Sequence, residues 1–87
     1  MDKSKAEITI FIRLVEGDRL EFKVNLNQPI HSLTSEALAR FHLQPTGGVV
    51  YRFLYQGRLL DENKTVGEEG IQAESELLFG TEQQVGG

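Results

Sequence analysis

Eighty-seven residues, 39% of them apolar and 25% charged, make one small folded domain with room for a single core. No cysteine is present, which excludes a disulfide framework and a cysteine-based zinc or redox site. The net charge of −4 argues against nucleic acid as a partner, and no apolar run is long enough to span a membrane.

Residues 1–6, MDKSKA, are polar and without periodicity, and they predict a flexible N-terminal extension. Met1 reads as a native start with no secretory core behind it. The expectation is therefore a cytoplasmic protein, also nuclear in a eukaryote. EITIFIRLV follows, with Ile8, Ile10, Ile12 and Leu14 alternating with Thr9, Phe11, Arg13 and Val15. That period of two, rich in β-branched residues, predicts a strand. The Gly17-Asp18 pair suits a turn. LEFKVNL alternates again, with Leu20, Phe22, Val24 and Leu26 on one face. Two alternating runs around a short turn predict an antiparallel hairpin.

The period then changes. Ile30, Leu33, Ala37 and Phe41, with Leu38 beside them, fall at the spacing of an amphipathic helix of about 13 residues. Pro29 suits the first helical position, with Gln28 or Asn27 as its cap. QPTGG ends the pattern. VVYRFLYQG predicts a third strand, RLL a short one and ESELLFG the last, with DENKTVGEEG as a polar loop between. The order ββαβ(β)β predicts an α+β domain over residues 7–80, one helix on a mixed sheet. Residues 81–87, TEQQVGG, form a predicted flexible tail.

No metal-ligand or acid–base constellation stands out. His31 and His42 lack ligand spacing, and Glu68–Glu69 reads as a solvated loop. No cofactor is expected.

FIRLVEGDRLEFKV, the helix behind it, RFLYQGRLLDENKTVGEEGIQAESEL and the terminal Gly-Gly together resemble ubiquitin-like proteins. The nearest flavour is SUMO-like: EFKV before the helix, RFLYQG, the Asn63 and Thr65 pair, Glu68 with Gly70, and a glutamine-rich tail sit in that order. The resemblance covers roughly residues 8–87 and implies the β-grasp fold. Four departures suit a distant cousin, a microbial ubiquitin-like protein included. Residues 43–51 are longer than in SUMO, the tail is longer, Val85 replaces the usual threonine, and the N-terminal extension is short.

The resemblance implies a protein modifier rather than an enzyme. Its reacting group would be the Gly87 carboxylate, carried by the Gly86–Gly87 diglycine. Its partners would be an ATP-dependent activating enzyme, a conjugating enzyme, a deconjugating isopeptidase and target proteins, joined through a lysine by an isopeptide bond. It also implies a peptide groove between the second strand and the helix, matched here by Phe22, Lys23, Val24, Leu33 and Arg40. Short hydrophobic motifs would bind there by strand addition, with Lys23 and Arg40 pairing acidic flanks. The apolar patch of ubiquitin is matched by Val15 and Leu54, while Gly80 removes its third member. Lys3 and Lys5 are candidate acceptor lysines. A monomer is expected. Two alternatives stay open: a non-conjugated ubiquitin-like binding domain of a larger protein, and a sulfur carrier with a C-terminal thiocarboxylate.

Overall fold

The computed structural model describes residues 6–86. Strand β1 runs Glu7–Leu14 and β2 runs Arg19–Asn25. They pair antiparallel with Ile8 opposite Val24, Ile10 opposite Phe22 and Ile12 opposite Leu20. The register thus stacks the apolar positions of both strands on one face, as the alternation predicts. Gly17 closes the turn at φ 119°, a region that favours glycine, and its N–H donates to the Leu14 carbonyl.

Helix α1 spans Ile30–Arg40 and buries Ile30, Leu33 and Ala37. Its start differs from expectation. Pro29 is the N-cap itself, with extended backbone and no side-chain cap, so Ile30 is the first helical residue. The physical reason lies in the 61–70 loop. The Ile30 N–H donates to the Lys64 carbonyl and the His31 N–H to the Glu62 carbonyl, and Pro29 bridges Thr65. Loop carbonyls therefore take the N–H groups that a capping side chain would otherwise satisfy. The helix ends in a Schellman motif. His42 adopts φ 59°, the Leu43 N–H donates to the Leu38 carbonyl, and the His42 N–H donates to the Ala39 carbonyl.

β3 (Tyr51–Tyr55), β4 (Arg58–Leu59) and β5 (Glu76–Thr81) complete a five-stranded sheet in the order β2-β1-β5-β3-β4. β1 and β5 lie parallel at the centre, and the other pairings are antiparallel. The crossover through α1 permits that parallel pair. α1 covers the inner face, where Phe53, Phe79, Leu77, Ile10, Ile12 and Phe22 are fully buried. Phe53 and Phe79 pack with ring centres 4.6 Å apart.

Glu69 corrects the reading of Glu68–Glu69 as a solvated loop. Its side chain is only 7% exposed. The carboxylate accepts from the Asp61 N–H and, at 2.6 Å, from Arg58 Nη1. Burial alone would push its pKa up, but those two donors outweigh it and hold the group below the usual carboxylate range. Glu68 and Thr65 instead exchange side-chain-to-backbone bonds in a capping box.

Candidate functional site

The outer sheet face, opposite α1, is defined by register. Arg52 is paired with Gly80, and Leu54 with Leu78 and Leu59. Directly opposed residues share a face, so these five side-chain positions point away from the helix. Val15, one residue beyond β1, is exposed at 41% and approaches the Gly80 site. Over β1 and β2 the same face is polar. Glu76 accepts from Arg13 Nε at 2.6 Å and Arg19 Nε at 3.0 Å, and Arg19 stacks on Phe11. The Arg13 bond is the main cause holding Glu76 below its ordinary pKa.

The tail meets this face. Residues Glu82–Gly86 form a short helix, α2, where the sequence predicts a flexible tail. The cause is a second capping box. The Gln84 N–H donates to Thr81 Oγ1 and the Thr81 N–H donates to Gln84 Oε1. The Glu82 N–H donates to the Val50 carbonyl, and its carboxylate accepts from Arg52 Nη1 at 3.1 Å. Gly86 packs on Leu59: a Cβ placed there would lie 3.1 Å from Leu59 Cδ1. The helix-start signal T-x-x-Q is present in TEQQ, and reading it would have located this turn. Gly87 lies outside the described residues, as do Lys3 and Lys5.

Val15 and Leu54 therefore both belong to the outer face. Val15 shares the Gly80 site with α2, and Leu54 stands half-buried between Leu59 and Leu78.

The groove residues separate into two groups. Phe22, Val24 and Leu33 are 0%, 1% and 0% exposed and belong to the core beneath the β2–α1 junction, which removes them from the open floor of any groove. Lys23 is exposed on the edge strand β2. Arg40 reaches across from α1, stacks over Phe22 at 4.2 Å and donates to the Glu21 carbonyl. The half-buried residues at this junction are Leu20 and Phe41, which the sequence reading placed on the core stripes. Phe41, the residue that ends α1, packs against Phe22.

A family model described as "Ubiquitin-2 like Rad60 SUMO-like" matches residues 8–77, from the first strand into the last. The chain belongs to the Rad60 SUMO-like family. The solved structures agree on the fold of this SUMO-like domain. One of them, described as "Molecular Mimicry of SUMO promotes DNA repair", superposes with a TM-score of 0.75 at 16% identity, over 86% of this chain and 91% of that one. No curated protein matches the sequence. The ubiquitin-like, SUMO-like β-grasp expected from the sequence is thus the fold observed.

Proposed function

We propose that this SUMO-like domain is a protein modifier joined to target lysines through the Gly87 carboxylate. The observation that carries the reading is the sequence position of Gly86–Gly87, a short stretch after a β5 that ends at Thr81 on a SUMO-like body. An activating enzyme would couple the carboxylate to ATP, forming an acyl adenylate and releasing pyrophosphate. A cysteine thiolate of that enzyme attacks the carbonyl and expels AMP, leaving a thioester. Exchange onto the cysteine of a conjugating enzyme preserves the thioester. A target lysine amine then attacks, expels the thiolate and loses a proton, which leaves an isopeptide bond. An isopeptidase reverses the link by hydrolysis.

Each attack passes through a tetrahedral carbon that needs open approach. A glycine carbonyl has no side chain to crowd it, and a second glycine lets a narrow active-site channel close around the backbone. The catalytic groups belong to the partner enzymes. The chain contributes its carboxylate and its surfaces.

Expression of the full chain and of a chain lacking Gly87 in the source cells tests this. Higher-mass adducts of the full chain alone support the reading, and equal adduct patterns contradict it. A sulfur carrier would instead show sulfur replacing one oxygen in the intact mass of the free protein.

One observation favours a second reading, a non-conjugated SUMO-like binding domain. Residues leading to the diglycine are folded into α2, and Gly86 rests on Leu59 instead of extending away from the sheet. Absence of adducts from both chains, with partner proteins still captured, supports that reading.

A further inference from the structure

Two departures from family patterns meet in space. Gly80 removes the third member of the ubiquitin-type apolar patch, and Val85 stands where SUMO-like tails carry threonine. In the structure, a Cβ at Gly80 would lie 2.6 Å from Val15 Cγ2, 2.8 Å from Gln84 Oε1 and 3.3 Å from Val85 Cγ1. The first two distances are shorter than carbon contacts allow. Gly80 has no positive φ, so its backbone does not require glycine. A Cβ here would have to displace Val15 and the tail-helix side chains that occupy the space.

We propose that α2 is a releasable latch on the outer sheet face, so that covering of the Gly80 site and withdrawal of Gly86 onto Leu59 form one closed state. The proposal rests on the modifier reading only for what release of the diglycine does.

The occupant of the face is this chain's own residues 82–86, seated by side-chain contacts and by the Glu82 N–H bond to the Val50 carbonyl. Val85 and Gln84 fill the place above Gly80, Gly86 lies against Leu59, and Glu82 pairs with Arg52. Each contact is small. A five-residue helix is too short to persist without its sheet contacts. Val85 is only half-buried, and the Glu82 carboxylate is exposed. Arg52 donates to Glu82 and to the Leu60 carbonyl, and its buried Nε has no hydrogen-bond partner among the described residues. Weak seating is what a latch needs in order to open. Opening uncovers Leu59 and the Gly80 site in the same step that frees residues 82–86.

Amide hydrogen exchange, read residue by residue by NMR on the full chain, tests the latch. In the wild type the Gln84, Val85 and Gly86 amides should exchange more slowly than in Gly80→Ala, by at least about fivefold, the ratio expected for loss of a partly buried valine contact. The β1 and β5 amides should keep their protection. Val85→Asn leaves the sheet untouched and should accelerate the same tail amides, which covers the case in which Gly80→Ala disturbs β5. Equal exchange at 84–86 in all three proteins would overturn the latch.

Single-turnover thioester formation on the activating enzyme then tests the withdrawal of Gly86. Gly80→Ala should react faster than wild type, and equal rates would overturn the linkage between closure and withdrawal. No thioester from either protein, with the exchange differences intact, would remove the modifier reading and leave the latch standing.

Discussion

Arg40 lies with its guanidinium carbon 4.2 Å from the centre of the Phe22 ring and donates from Nη1 to the Glu21 carbonyl at 2.9 Å. One side chain of α1 thus covers a core aromatic and ties the edge strand β2 to the helix. The residue expected to meet acidic peptide flanks is already engaged with its own domain.

Arg40→Ala should destabilise the domain by about 1–2 kcal/mol, because the cation–π contact and the hydrogen bond are lost together and both are exposed to solvent. Arg40→Lys should recover only part, because an ammonium lacks the planar stacking surface. Urea unfolding of the three proteins measures it. An unchanged midpoint for Arg40→Ala would show that the contact contributes nothing.

Glu69 makes stability depend on pH. Its folded-state pKa lies below the ordinary value, so its contribution is complete above the unfolded carboxylate pKa of about 4.3 and is lost as pH falls through the folded value. Glu69→Ala leaves the Asp61 N–H without its acceptor and should cost about 1–3 kcal/mol at neutral pH. The gap between wild type and variant should narrow below about pH 4. Glu76 has the same direction of shift but sits in solvent, so Glu76→Gln should change stability far less. Denaturant melts at several pH values separate the two.

His42 holds a left-handed backbone conformation at the end of α1 that a glycine adopts without strain. His42→Gly should therefore stabilise the domain by about 0.5–1 kcal/mol. A loss on thermal unfolding would contradict this account of the helix end.

Ile12 sits at the centre of the sheet, paired with Leu20 on one side and Leu77 on the other, and is fully buried. Ile12→Ala should cost about 2–5 kcal/mol, a large fraction of what so small a domain can have. A cooperative unfolding transition at the wild-type midpoint would contradict the core assignment.

Much of the fold was legible because its signals are local. The alternation through Ile8, Ile10, Ile12 and Leu14 sets the first strand, and the register with Leu20, Phe22 and Val24 follows from burying both apolar sets. The helix stripe likewise identifies Ile30, Leu33 and Ala37 as core. What the sequence hid is non-local. The start of α1 depends on carbonyls of Glu62 and Lys64, more than thirty residues away. The burial of Glu69 depends on Arg58 and the Asp61 N–H folding around it. The groove residues show the same limit. Phe22 and Val24 satisfy the family pattern and the core pattern at once, and only packing shows that the core claims them. The tail is the opposite case: its Thr81–Gln84 signal is local, but the flexibility expected of residues before a diglycine conceals it.

Attachment to target lysines through the Gly87 carboxylate, as proposed, predicts a specific branched peptide. No lysine or arginine follows Lys64, so trypsin would leave residues 65–87 attached to the acceptor lysine. Mass spectrometry of adducts purified from the source cells should find that branch, joined through Gly87 to a lysine ε-amine, and should lose it when Gly87 is removed. Purified adducts that contain the chain but no such branch would contradict the claim.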